Sequence, residues 1–61
     1  MERNSRKIIR RLKADGWVLV RVSGDHHVFQ HPRKGTIVLT HPVKDMSPGL
    51  VRAIYRQAGW R

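Results

Sequence analysis

Three histidines and an aspartate fall within the ten residues VSGDHHVFQH, at positions 22–31. A cluster of this kind suits either metal ligation or proton transfer on a phosphodiester, and exposed, inert strand histidines are the third alternative. An unperturbed imidazole has a pKa of about 6.5, so it can take up or release a proton at neutral pH. In RNA the neighbouring 2′-OH is itself a nucleophile. A histidine that deprotonates it can therefore act without metal, while Lys and Arg stabilise the developing charge.

Metal binding requires side chains that converge on one ion. His27 and His31 are four residues apart, which on an extended strand separates them by roughly 13 Å. Zinc ligands lie about 2 Å from the metal, so these two cannot share an ion. His26 and His27 point to opposite faces of a strand. A metal site would need His41 and Asp45 to fold back onto one of them, and we predict no metal and no other cofactor.

The composition narrows the class of partner. Among 61 residues, 13 Lys and Arg stand against four Asp and Glu, for a formal charge of +9, and there is no cysteine. Because each cation that neutralises a phosphate releases a counterion, this balance favours a nucleic acid. The longest apolar run, WVLV, is far too short to span a membrane. We expect one small domain over residues 1–61, soluble and cytoplasmic, with no membrane association.

The spacing of apolar residues predicts five short elements. Residues 5–15 form a helix with Asn4 or Ser5 as its cap, and Gly16 closes it. Strands are predicted at 17–22, 26–31 and 36–40, separated by the breaks SGD and PRKG. In the first strand, Val18, Val20 and Val22 are expected on one face.

A second helix is predicted to begin at Ser47-Pro48 and to end at Gly59. Its core positions are Leu50, Val51, Ile54, Tyr55 and Ala58. The order is α-β-β-β-α, which predicts an α+β fold: a three-stranded antiparallel sheet with both helices on one face and the other face free. Phe29 is the largest apolar residue of its strand and is expected to face the core, with His27 on the same side near the sheet margin. The alternatives for Trp17 and Trp60 are stacking on bases and packing against a helix, and we expect the second.

Two blocks of the chain resemble the HicA family of toxins from toxin–antitoxin pairs. They are LKADGWVLVRVSGDHHVFQHP and HPVKDMSPGLVRAIYRQAGW, at the separation found in that family. The family pattern Gly-Ser-His-His, or Gly-Ser followed by any residue and His, appears here as Gly24-Asp25-His26-His27. The family's closing Gln-Ala-Gly plus an apolar residue appears as residues 57–60.

The resemblance implies a double-stranded-RNA-binding-domain-like fold and a messenger-RNA endoribonuclease that arrests growth, as in a stress response. It implies that His27 is the catalytic residue and that His26 occupies the variable position. It also implies a HicB-type antitoxin as partner in a hetero-oligomer. The alternative function is a non-catalytic RNA-binding module of the same fold. A DNA-binding regulator has no support, since no recognition helix stands out.

Further residues are candidates for RNA contact. Gly24 would let the chain turn sharply and let a phosphate approach, and His26 would lie beside it. Asp25 stands where the family has serine; its carboxylate would repel phosphate or stabilise a neighbouring imidazolium. The candidate phosphate contacts are Arg6, Lys7, Arg10, Lys34 and Lys44.

Overall fold

The computed structural model describes residues 1–60. Its elements are α1 (Ser5–Ala14), β1 (Val18–Ser23), β2 (His26–His31), β3 (Gly35–Thr40) and α2 (Pro48–Ala58). The α-β-β-β-α order confirms the predicted α+β class. Neither helix in the described part of the chain has the length and apolar character needed to cross a membrane.

Both helices begin and end where local chemistry favours it. The Asn4 side chain accepts hydrogen bonds from two backbone amides of the first turn of α1, which satisfies donors that have no partner within the helix. Ser47 caps α2 in the same way, and Pro48 occupies its first turn. Gly59 ends α2 with φ +78°, a conformation that glycine adopts without steric cost.

The three strands form an antiparallel sheet in the order β1-β2-β3. Gly24 and Asp25 form the two-residue turn between β1 and β2. Gly24 has φ +59°, whereas Asp25, like the other non-glycine residues among residues 1–60, does not have a positive φ. Positive φ at the first of the two turn residues alone is the pattern of a type II′ hairpin turn. The sequence-based prediction for Gly24 as a turn residue is therefore confirmed.

An irregularity in β1 changes which of its side chains face the core. Leu19 pairs with Phe29 and Arg21 pairs with Val28, so the intervening Val20 is an extra residue. Because a bulge reverses the alternation beyond it, Val22 lies opposite His27 and on its side of the sheet. The prediction that Val18, Val20 and Val22 share one face is wrong for Val22.

One apolar cluster joins the inner face of the sheet to both helices. Phe29 is fully buried within it, together with residues of α1 and α2 such as Leu12 and Ile54. Trp17 also belongs to the cluster and is 2% exposed. On the outer face Val38 remains 48% exposed. Both helices therefore pack on one face, as predicted, and the other face is open.

Candidate active site

His27 lies at the start of β2, on the core side of the sheet but at its margin. Its side chain is half-buried, whereas Phe29, two residues further along the same face, is completely buried. The Nδ1 atom of His27 is 3.3 Å from the backbone oxygen of Asp25. A carbonyl oxygen can only accept a hydrogen bond, so this contact favours the tautomer with the proton on Nδ1. The Nε2 atom then keeps its lone pair and can accept a proton.

His41 lies beside His27, immediately after β3. The two ring centroids are 5.0 Å apart and the rings are nearly perpendicular. The amide of His41 donates to the same Asp25 oxygen, at 2.8 Å. The hairpin turn therefore contacts both histidines through one carbonyl group.

A buried serine fixes the His41 ring. Ser5 is 1% exposed, and its Oγ is 2.7 Å from Nδ1 of His41. The amide of Val43 donates to the same Oγ at 2.8 Å. Burial lowers the pKa of His41 below 6.5, and the nearby charges of His27, Arg6 and Lys13 lower it further. His41 is therefore biased toward its neutral form.

Two basic clefts meet at His41. The first, the helix cleft, has a volume of about 330 Å³ and is lined by Arg6, Ile9, Arg10, Lys13 and His41. The second, the loop cleft, has a volume of about 290 Å³ and is lined by residues 4–6 and 41–44. Among the described residues, none of the cations of α1 that line these clefts forms an ion pair. Their charge is therefore available to an anion.

Comparison with known proteins identifies the family. The family model described as HicA toxin of bacterial toxin-antitoxin matches residues 5–60. The chain belongs to the HicA toxin family. It is accordingly a toxin of a toxin–antitoxin system, which implies an antitoxin partner. A search of curated proteins finds no match to this chain.

Of the five predicted phosphate contacts of this HicA toxin, three lie beside His41 and two do not. Arg6, Arg10 and Lys44 line the clefts beside His41. Lys7 lies on α1 but lines neither cleft. Lys34 lies in the turn after β2, at the opposite end of that strand from His27, and the four residues from His27 to His31 span roughly 13 Å.

Lys34 also has partners of its own. Its Nζ donates to the Asp15 carboxylate at 3.0 Å and to the Ala58 carbonyl at 2.9 Å. The Trp60 indole donates to the same carboxylate at 3.2 Å. These hydrogen bonds, that of Lys34 first, lower the pKa of Asp15. Lys34 therefore ties the C-terminal ends of both helices together in this HicA toxin.

The carboxylate of Asp25 faces His26 rather than the histidine pair. Its Oδ1 is 3.7 Å from Nδ1 of His26, and both side chains are 64% exposed. Asp25 thus contacts His27 through its backbone oxygen, which a serine at this position would supply equally well. Asp25, which stands where the HicA pattern has serine, therefore does not alter the contact between its backbone oxygen and His27.

The structure also bears on the metal hypothesis. The Asp45 carboxylate pairs with Arg3 at 2.9 Å. Residues 1–60 contain no cluster of three or more His, Cys, Asp or Glu side chains suited to a metal ion.

Sequence reasoning missed His41, Ser5 and Lys13 as members of the site. The sequence suggests His41 only as a member of a metal site. The signal that could have found it is the hairpin register. Because β2 and β3 are adjacent and antiparallel, a residue just after β3 must lie beside the start of β2.

Proposed function

We propose that this HicA toxin is a metal-independent endoribonuclease that cleaves messenger RNA, with His27 as its general base and acid. The observation that carries the proposal is the contact between Nδ1 of His27 and the Asp25 carbonyl. It leaves Nε2 as the proton acceptor, on a half-buried ring at the margin of a basic surface. That geometry is what removal of a proton from a ribose hydroxyl requires.

The proposed reaction conserves atoms and charge without a further reactant. Nε2 of His27 takes the proton from the 2′-OH, and the 2′-oxygen attacks the adjacent phosphorus. The bond from phosphorus to the 5′-oxygen breaks, and the leaving oxygen takes the proton back from the imidazolium. The products are a 2′,3′-cyclic phosphate and a 5′-hydroxyl. Arg6, Arg10 and Lys44 would stabilise the negative charge that grows on the phosphate oxygens.

The charge of the chain supports the rest of the proposal. A formal charge of +9 favours phosphate contacts, which fix the position of an RNA but carry no base information, so sequence selectivity should be slight. Gly24, Asp25 and His26 at the hairpin turn would border the bound strand. The antitoxin would be a HicB-type protein with an acidic surface that covers His27 and the basic clefts in a hetero-oligomer. The site of action would be the cytoplasm.

Substitution of His27 tests the proposal. His27→Ala should abolish cleavage of messenger RNA and growth arrest in cells, while RNA affinity stays within about threefold, because phosphate contacts dominate affinity. His31→Ala is the matched control, since it removes an imidazole from the same strand at the far end. Both proteins are assayed in EDTA, and the wild type should still cut there.

Each alternative gives a different result. Cleavage by His27→Ala at the wild-type rate would refute the assigned base. Loss of wild-type cleavage in EDTA would indicate a metal-dependent reaction. RNA binding by a wild-type protein that never cuts would favour the non-catalytic RNA-binding module.

A further inference from the structure

We propose that His41 is a second catalytic residue. Its neutral imidazole donates a hydrogen bond from Nε2 to a non-bridging oxygen of the scissile phosphate. This inference rests on the ribonuclease activity proposed above. Its ring lies 5.0 Å from that of His27, centroid to centroid. It forms part of the wall of both basic clefts. A phosphate bound against His27 would therefore meet His41 as well.

The hydrogen bonds of Ser5 determine which nitrogen of His41 carries the proton. The Val43 amide donates to Ser5 Oγ, so that oxygen already acts as an acceptor. Its hydroxyl proton has one partner among the described residues, which is Nδ1 of His41. Because Ser5 is buried, a hydroxyl without an acceptor there would be unfavourable. Ser5 therefore donates to Nδ1, and Nε2 carries the proton of the neutral ring.

The surroundings favour the neutral form of that ring and attract an anion to it. His27 faces it from β2, Arg6 and Lys13 from α1, Arg10 lines the helix cleft, and Lys44 the loop cleft. The nearest carboxylate on the adjoining turn, that of Asp25, contacts His26 instead. Burial and these positive charges oppose a second positive charge on His41. The result is a neutral donor in a positively charged setting, which suits a phosphate oxygen.

A second donor would complement His27 rather than duplicate it. In an in-line displacement the base contacts the attacking oxygen at one apex of the phosphorus. The charge that develops in the transition state lies on the oxygens between the two apices. A hydrogen bond from Nε2 of His41 to one of them would strengthen as that charge grows, so it would raise kcat more than it lowers KM.

The first test separates kcat from KM. Removal of one such donor typically lowers kcat by about 10²-fold or more, and we expect that loss for His41→Ala with KM within about threefold. His41→Gln places an amide N–H near the position of Nε2 and should recover at least about tenfold of the loss. His31→Ala is the control and should cut like the wild type. Equal activity of His41→Ala and wild type would overturn the proposal, as would a loss confined to KM.

The second test does not depend on cleavage. Two-bond proton–nitrogen NMR spectra above pH 6.5 should show His41 as the Nε2–H tautomer. Addition of an RNA oligonucleotide with 2′-O-methyl groups throughout, which has no nucleophile, should shift the His41 ring resonances and leave those of His31 in place. An Nδ1–H tautomer, or no His41 shift when the oligonucleotide binds, would overturn the inference.

The two tests distinguish failure of the activity from failure of this inference. If the wild type does not cut but the NMR results appear as expected, the proposed function fails and the phosphate contact of His41 stands. If His27→Ala abolishes cleavage while His41→Ala does not change kcat, the activity stands and the role of His41 fails. His41→Gln and melting temperatures of all variants identify any loss caused by unfolding.

Discussion

Ser5→Ala should destabilise the protein far more than loss of one exposed hydroxyl, because two groups depend on Ser5 Oγ. The Val43 amide and Nδ1 of His41 lie 2.8 Å and 2.7 Å from it. A buried polar group left without a partner costs about 1–3 kcal/mol. Val43 and His41 are half-buried, so we take the lower end for each, about 2 kcal/mol in total. A folded chain of this length has only about 3–9 kcal/mol to lose.

Thermal and urea unfolding followed by circular dichroism measure this cost. For a domain of this size, about 2 kcal/mol corresponds to a fall in Tm of roughly 8–16 °C. Ser47→Ala is the matched control, because it also removes a serine hydroxyl at the start of a helix. Within residues 1–60 the Ser47 hydroxyl has one hydrogen-bond partner, the Leu50 amide at 3.4 Å, so its loss should cost about 0.5 kcal/mol. Equal destabilisation by the two substitutions would refute the role assigned to Ser5.

Three further predictions concern the fold that supports the site. Asp15→Asn should remove part of the acid sensitivity: the lowered pKa of Asp15 gives stability that is present above its ordinary value of 3.8 and is lost as pH falls below it. Identical Tm–pH curves from pH 2 to 7 for variant and wild type would contradict this. Phe29→Ala should lower the free energy of unfolding by about 3–5 kcal/mol, whereas Val38→Ala on the exposed face should lower it by less than about 1 kcal/mol. Urea unfolding compares the two variants, and similar midpoints would be inconsistent with the assigned faces. Gly24→Ala should destabilise the protein by about 1–2 kcal/mol because of the positive φ at that position. Gly49→Ala, in the first turn of α2, should stabilise it by up to about 1 kcal/mol. The reverse order of melting temperatures would exclude the proposed turn.

The fold was predictable because its signals are local. Asn4, Pro48 and Gly59 set helix ends through their own backbone chemistry, and these ends agree with the structure to within one residue. The alternation of Phe29 and His27 along β2 likewise gave their shared face correctly. Each of these inferences needs only the residues of one element.

The site was predictable only in part, because its geometry depends on contacts between distant elements. The proximity of His41 to His27 depends on the register of β2 and β3, and the fixation of its ring on a serine 36 residues away in the chain. The extra residue Val20 shifts β1, and a one-residue shift moves every later side chain to the opposite face. Lys34 carries the positive charge of a phosphate contact, yet its side chain pairs with Asp15. That pairing depends on the proximity of the C-terminal ends of the two helices, which the sequence does not show.

The chemistry of the cleaved ends tests the central claim most directly. Wild-type protein is incubated in EDTA with an RNA and with a DNA of the same sequence, and the product ends are determined by mass spectrometry. If His27 activates the 2′-OH, only the RNA is cut, and its fragments carry 2′,3′-cyclic phosphate and 5′-hydroxyl ends. Cleavage of the DNA, or RNA fragments with 5′-phosphate ends, would show that water rather than the ribose hydroxyl is the nucleophile and would contradict the account.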